Sequence, residues 1–99
     1  MELEINNVRG RMEVVGDFTS ENVHKVKDHF NYLLDHYEEV VMCLKKVKKI
    51  DKKALQVLQG IYAKAQRRKK VLFVLGKKNK KVFMTLKSNK LNHIFRNDY

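Results

Sequence analysis

The sequence has little of what several kinds of functional site require. It has one cysteine, which excludes an internal disulfide and a cysteine-based zinc site. It has no proline, and its four glycines are isolated from one another, so the glycine-rich phosphate-binding and dinucleotide-binding motifs are absent. No apolar run approaches the roughly 18 residues of a membrane span, and the opening MELEINN lacks the basic and apolar regions of a signal peptide. We therefore expect a cytoplasmic protein.

Positive charge is abundant and unevenly distributed. The formal net charge is +11 over 99 residues. Residues 1–44 carry four basic and nine acidic groups, whereas residues 45–81 carry fifteen basic groups and one acid, Asp51. Such a concentration attracts nucleic acid, anionic lipid or an acidic protein surface. Lysine is also a common means of keeping a surface soluble, so a functional and a merely solvating basic face both remain open.

The first part of the chain predicts a β-hairpin followed by a long helix. Polar and apolar residues alternate over 2–6 and 11–15, with a turn at 7–10 and an end at Gly16-Asp17. A helix is expected after Thr19 or Ser20, because apolar residues then recur at spacings of one, three and four. These residues are Val23, Val26, Phe30, Leu33, Leu34 and Tyr37.

The central stretch predicts a strand, a lysine-rich connector and an amphipathic helix. Residues 40–44 are apolar, partly β-branched and uninterrupted by charge, which is typical of a buried strand. The helix is expected from Lys52 or Lys53 to about Gln66, with Asp51 as its N-cap. A second apolar strand at 71–75 completes a βαβ unit, whose two strands should be parallel.

The last part of the chain predicts a basic loop at 77–81 and a short helix beginning at Val82. Leu91, Ile94 and Phe95 form a final apolar patch, either helical or extended over the sheet edge. No linker or internal repeat interrupts the sequence, so residues 1–99 are expected to form a single domain.

None of the chemically capable residues lies in a pattern typical of an active site. Cys43 falls inside a predicted buried strand and is interpreted as a core residue. Asp51 has no second carboxylate beside it, so a capping role is preferred to acid–base work. The histidines of the first helix, His24, His29 and His36, lack the spacing of a metal pair and are interpreted as surface residues.

The aromatic residues are assigned to the core rather than to a binding platform. Core-facing stripes are predicted to include Tyr32, Tyr37, Phe73 and Phe83, which leaves no stacking surface for nucleic acid. We expect a non-enzymatic protein that requires no metal and no cofactor.

The order of elements, together with particular residues, resembles a known family. Gly16-Asp17-Phe18-Thr19 resembles the glycine-acid-hydrophobic-acid turn of STAS domains, the sulfate transporter and anti-sigma factor antagonist modules. Residues 40–58 resemble their central signature of an apolar strand, a short loop, a hydrophobic-Asp-Ser-Ser-Gly turn and a helix. Residues 71–76 match the family's next strand, and 91–95 resemble its closing segment. The resemblance implies a small α/β, STAS-like domain with a mixed sheet of four or five strands and helices mostly on one face.

The family's phosphorylation turn is degenerate in this sequence. In STAS regulators, the serine after the aspartate is phosphorylated by a partner kinase that is also the anti-sigma factor, and this switches partner binding off. The corresponding turn here is Asp51-Lys52-Lys53-Ala54, which places Lys52 at the phosphoacceptor position. Lysine neither accepts a phosphoryl group in that chemistry nor mimics the negative charge of phosphoserine. Other hydroxyl residues that could carry a switch are Thr19, Ser20, Thr85 and Ser88.

The resemblance implies a bacterial regulatory module that docks a protein partner through the helix beginning at Asp51. The expected partner-binding residues are Asp51, Lys52, Lys53, Lys48, Lys49 and Gln56. The implied partner is an anti-sigma factor or kinase-like protein with an acidic docking face. The alternative is binding of a polyanion, either nucleic acid or an anionic membrane, through the same lysines. Lys52 and Lys53 lie where the helix dipole disfavours cations, so they are either tolerated at a small cost or strengthen an anion site.

Overall fold

A computed structural model describes residues 2–95, which form a mixed five-stranded sheet with three α-helices, as expected for a STAS-like domain. A short 3-10 helix, Asn92–Ile94, follows the last α-helix. The elements in chain order are β1 (Leu3–Val8), β2 (Arg11–Phe18), α1 (Val23–His36), β3 (Glu39–Cys43), β4 (Val47–Ile50), α2 (Lys52–Arg67), β5 (Val71–Leu75) and α3 (Lys80–Ser88).

The sheet combines an antiparallel hairpin with parallel strands. β1 and β2 form the predicted hairpin, and β3 and β5 are parallel, as the βαβ pattern predicted. On the other edge of β2, β3 pairs with residues 11–13 and β4 pairs with residues 16–18. Thus β4 continues the path of β3 along β2, and β2, β3, β4 and β5 all run in the same direction.

The hydrophobic core lies between the sheet and helices α1 and α2, which pack side by side. Alternate sheet residues such as Val14, Met42 and Val74 are fully buried, as are Phe30 of α1 and Leu58 of α2. The apolar stripe of each helix therefore meets one face of the sheet, which is the physical reason for the 3.6-residue and two-residue periodicities in the sequence.

Two predicted element boundaries are wrong because they depend on a strand pairing that is distant in sequence. Residues 47–50 were expected within a lysine-rich connector, but they form β4 by pairing with the end of β2. The same pairing extends β2 to Phe18, beyond the expected end at Gly16-Asp17. Gly16 has φ of +108°, and a Cβ there would lie 2.3 Å from the carbonyl oxygen of Glu2, so glycine is required within this strand.

Two helices also begin elsewhere than expected. α1 begins at Val23 after Asn22, not directly after Thr19 or Ser20, and the side-chain amide of Asn22 donates to the carbonyl of Asp17 at 2.9 Å. α3 begins at Lys80, before the expected start at Val82, because Asn79 acts as its N-cap. The expected α2 and its Asp51 cap are confirmed.

Several side chains of α1 differ from their expected environment. Tyr32 and Tyr37 were assigned to the core, but they are 58% and 54% exposed. Tyr32 instead stacks on His36, with the ring centroids 4.1 Å apart. His29 was expected on the surface but is half-buried, edge-on to Phe30, and burial lowers its pKa. His24 and His36 are exposed as expected.

The C-terminal apolar patch lies at the free edge of β5. Leu91, which precedes the 3-10 helix, and Ile94, its last residue, are buried, and Phe95 pairs with Val74 through an isolated parallel bridge. The segment was expected to be helical or extended over the sheet edge. It is helical over residues 92–94 and extended at Phe95, so both descriptions are confirmed. Residue 1 and residues 96–99 lie outside the described part of the chain.

Candidate partner-binding surface

The beginning of α2 is fixed by the two carboxylate oxygens of Asp51. Oδ1 accepts a hydrogen bond from the backbone N–H of Ala54 at 2.9 Å, which satisfies one of the free donors of the first helical turn. Oδ2 accepts from the backbone N–H of Ser20 at 2.8 Å. One side chain therefore caps α2 and holds the β2–α1 loop against it, so residues that are 31 apart in sequence form one surface.

The lysines that precede and begin α2 are all exposed. They are Lys45, Lys46, Lys48, Lys49, Lys52 and Lys53. Lys46 forms an ion pair with the buried carboxylate of Glu13 at 3.2 Å, and Arg11 lies 3.4 Å from the same carboxylate. The other five lysines form no ion pair with any residue between 2 and 95. Their charged groups therefore face solvent in the loop after β3, in β4 and in the first turn of α2.

Lys48 and Lys49 are both exposed because β4 is irregular. Gly16 and Asp17 are adjacent in β2, but they pair with Val47 and Lys49. Lys48 is thus the extra residue of a β-bulge, which breaks the alternation that would otherwise direct one of the two lysines inward. The bulge therefore leaves both side chains exposed in the strand that leads into α2.

Asn79 holds the loop between β3 and β4 in place, and sequence reasoning missed this role. Its Nδ2 donates to the carbonyl oxygens of Leu44, Lys45 and Val47 at 3.1, 3.1 and 2.9 Å. Its Oδ1 accepts from the N–H of Val82 at 3.3 Å, which caps α3. The strong preference for asparagine before a helix could have indicated the cap, but the three bonds to the loop depend on tertiary structure.

The solvent-facing side of α2 is a ridge between two grooves. Gln56 lies on this ridge and lines both grooves. The larger, of about 600 Å³, runs between α1 and α2, and the smaller, of about 180 Å³, lies towards Leu91. Gly60 is also exposed, and no atom lies within 4 Å of where its Cβ would be. This ridge of Lys52, Lys53, Gln56, Gln59 and Gly60 is named the α2 surface.

Two of the cations that line the larger groove, Lys64 and Arg68, are paired with Asp35. Lys64 donates to Asp35 at 2.9 Å and to the carbonyl of Asn31 at 3.3 Å, and Arg68 lies 3.2 Å from Asp35. The hydrogen bond from Lys64, together with the positive charges of Lys64 and Arg68, holds the pKa of Asp35 below its ordinary value. The other cations that line the groove, Lys27, Lys53 and Arg67, make no ion pair with any residue between 2 and 95.

The predicted site residues occupy one continuous region. Lys48, Lys49, Lys52, Lys53 and Gln56 are exposed, and Asp51 supports them as the half-buried cap. Cys43 is buried in β3, as expected. Among residues 2–95, no three His, Cys, Asp or Glu side chains are close enough together to hold a metal ion. None of the helices in the same range has the length and apolar character needed to cross a bilayer.

The chain is thus a small α/β domain in which a mixed five-stranded sheet leads into a capped helix start beside exposed lysines. The family model described as "Mlab, STAS domain" matches residues 1–96. The chain belongs to the STAS domain family.

One similar solved structure is "Structure of the Anti-Sigma Factor Antagonist SpoIIAA in its Unphosphorylated Form". The TM-score is 0.60 at 11% identity, and the match covers 84% of this chain and 82% of that one. This likeness confirms the fold. A search of curated proteins gives no match to the sequence.

Proposed function

We propose that this STAS domain is a non-enzymatic regulatory module of the cytoplasm that docks a protein partner through the α2 surface and the adjoining Lys48 and Lys49. The observation that carries the proposal is the set of exposed lysines around a helix start held by Asp51. A recognition surface works best when its backbone is already in the binding conformation, because less entropy is then lost on docking.

The chemistry of the surface indicates the character of the partner. Lys48, Lys49, Lys52 and Lys53 form no ion pair with an acidic side chain in residues 2–95. A partner face rich in aspartate and glutamate would satisfy these charges and would be attracted at long range. An anti-sigma factor or kinase-like protein with such a face fits the family relationship.

The same surface argues against regulation by serine phosphorylation at the usual place. The first residue of α2 is Lys52, which is exposed and carries an ammonium group in place of a hydroxyl. We therefore propose that docking is not switched by phosphorylation of residue 52. Of the other hydroxyl residues, Ser20 is joined directly to the start of α2, because its backbone N–H donates to Asp51.

The proposal is tested by affinity capture from nuclease-treated native cytosol with the immobilised full chain. Wild type is compared with Lys52→Ser/Lys53→Ala and with a control, Arg9→Gln/Lys69→Gln. The control removes the same charge, but at the amino-terminal ends of β2 and β5. Arg9 and Lys69 are both exposed and lie in the turns before β2 and β5.

A specific protein that is recovered by wild type and by the control, but lost with Lys52→Ser/Lys53→Ala, supports docking through α2. Recovery of the same protein by all three chains contradicts it. Recovery of nucleic acid in a parallel capture without nuclease, equally reduced in both variants, also contradicts it.

A further inference from the structure

A second set of exposed lysines lies on and around α3, on residues other than those of the α2 surface. The chain contains no aspartate or glutamate between Lys52 and Asn97, whereas residues 77–90 contain six lysines. Five of them, Lys78, Lys80, Lys81, Lys87 and Lys90, are exposed and make no ion pair with any residue between 2 and 95. These five lysines and Met84 are named the α3 surface.

The geometry of α3 places Met84 at the centre of these charges. Val82 and Leu86 are fully buried and define the core-facing side of the helix. At about 100° per residue, Met84 projects from the opposite side, with Lys80, Lys81 and Lys87 within about 60° of it. Met84 is 56% exposed, a large exposure for an apolar side chain. The helix is therefore apolar on its core side, and on its solvent side it presents Met84 surrounded by lysines.

A surface of this composition fits an anionic lipid bilayer. The ammonium groups of lysines near a membrane are attracted to the phosphate headgroups, and their aliphatic stems can lie along the acyl boundary. An unbranched apolar side chain among them is suited to insertion between headgroups. Binding to a membrane is also favoured by the fixed position of α3, because Asn79 caps the helix and bonds it to the β3–β4 loop.

Nucleic acid fits the same surface less well. Bidentate phosphate and base recognition favours arginine, and none of the six basic residues from 77 to 90 is an arginine. Single-stranded nucleic acid favours exposed aromatic rings for stacking. The exposed aromatics Tyr32 and Tyr37 lie at the other end of the sheet, and Phe83 of α3 is half-buried beside Phe95.

We infer that the α3 surface binds anionic phospholipid membranes, with Lys80, Lys81 and Lys87 on the headgroup phosphates and Met84 in the headgroup–acyl boundary. The binding is peripheral and reversible. It would bring the domain to the membrane without using the residues of the proposed protein-docking site.

The test is co-sedimentation of the full chain with vesicles of phosphatidylcholine alone and of phosphatidylcholine with about one third phosphatidylglycerol. The variants are Lys80→Gln/Lys87→Gln, Met84→Gln and Met84→Leu, with Arg9→Gln/Lys69→Gln as the control of equal charge. All these side chains are exposed, so circular dichroism should show the same fold and a similar melting temperature for each.

Wild type should bind only the anionic vesicles. Lys80→Gln/Lys87→Gln should lower the partition coefficient on the order of twentyfold, because each lysine near the surface contributes about fivefold. Met84→Gln should lower it by roughly fivefold, while Met84→Leu should retain binding. The control should change it by about twofold or less, because its charges lie beyond the screening length of about 10 Å.

Three results would overturn the inference. One is equal binding to neutral and anionic vesicles. Another is an equal loss in the control and in Lys80→Gln/Lys87→Gln, which would mean that only net charge matters. The third is tighter binding to duplex DNA or to RNA than to anionic vesicles at the same salt concentration.

Discussion

Asp51 and Ser20 are joined by a hydrogen bond in which the backbone N–H of Ser20 donates to Oδ2 of Asp51 at 2.8 Å. The other oxygen of the same carboxylate caps α2 at Ala54. The loop after β2 and the start of α2 are consequently held in one geometry, and this geometry supports the exposed lysines of the candidate site.

The two roles of Asp51 can be separated by substitution. Asp51→Asn keeps an oxygen for the N–H of Ala54 but directs an amide group at the N–H of Ser20, so only the link to the loop is lost. Asp51→Ala loses both bonds. We expect Asp51→Ala to lower the free energy of unfolding by about 1–2 kcal/mol and Asp51→Asn by roughly half as much. Urea denaturation measures both values, and equal losses in the two variants would contradict the separate roles.

Asn79 should be more important for stability than its exposed loop suggests. Asn79→Ser keeps a helix cap but removes the amide that donates to Leu44, Lys45 and Val47, whereas Asn79→Ala removes the cap as well. We expect losses of about 1–2 kcal/mol for serine and about 1 kcal/mol more for alanine. Hydrogen exchange should also become faster in both variants at Val47, whose N–H donates to the carbonyl of Leu44 at 3.2 Å. Unchanged exchange there would show that Asn79 does not hold the loop.

Local patterns predicted most of the fold, and long-range pairing accounts for the parts that were missed. The strand at 71–75, the hairpin and the Asp51 cap could be predicted because their signals lie within a few residues. β4 could not, since lysines between Val47 and Ile50 are typical of a loop until β2 supplies a partner strand.

In the candidate site, too, local patterns predicted some features, and long-range contacts account for those that were missed. The exposed lysines and Gln56 could be located from the degenerate turn and the helix pattern. The bond from Ser20 to Asp51 and the bonds from Asn79 to the loop join residues more than 30 apart, so no local pattern indicates them. Tyr32 was misassigned, because at about 100° per residue it lies about 200° from the buried Phe30 and so faces solvent, where it stacks on His36.

The two lysines in the first turn of α2 should cost stability. The positive end of the helix dipole opposes each cation by about 0.3–1 kcal/mol at an exposed site. We therefore expect Lys52→Ser/Lys53→Ala to raise the free energy of unfolding by about 0.5–2 kcal/mol at low salt. The gain should shrink in high salt because of screening. A loss of stability in chemical denaturation would mean that the lysines make stabilising contacts within the domain.

Gly60 should be replaceable by alanine with a gain in stability. It lies inside α2 with open space around its missing side chain. Alanine restricts the unfolded chain and favours the helix, so Gly60→Ala should raise the free energy of unfolding by about 0.5–1 kcal/mol. Thermal and urea denaturation measure this directly. A decrease would show that the position is constrained in a way that the open space does not suggest.

His29 should make stability depend on pH. Burial lowers its pKa below the ordinary value of 6.5, so the unfolded chain binds a proton more readily than the folded one. The stability is therefore fully present above about pH 6.5 and falls as the pH drops towards the lowered folded pKa.

The variant His29→Leu cannot titrate at this position. We expect the stability of wild type relative to His29→Leu to decline between about pH 7.5 and about pH 5.5 in urea titrations. A difference that is constant over this range would contradict the burial of a titrating imidazole.

The most direct test of the account is the affinity of the captured protein partner for three purified chains, measured by isothermal titration calorimetry. The account predicts that Lys52→Ser/Lys53→Ala weakens binding at least tenfold, or about 1.4 kcal/mol, although this variant is expected to be the more stable protein. Arg9→Gln/Lys69→Gln should bind like wild type. Equal affinities for all three chains would contradict docking through the α2 surface.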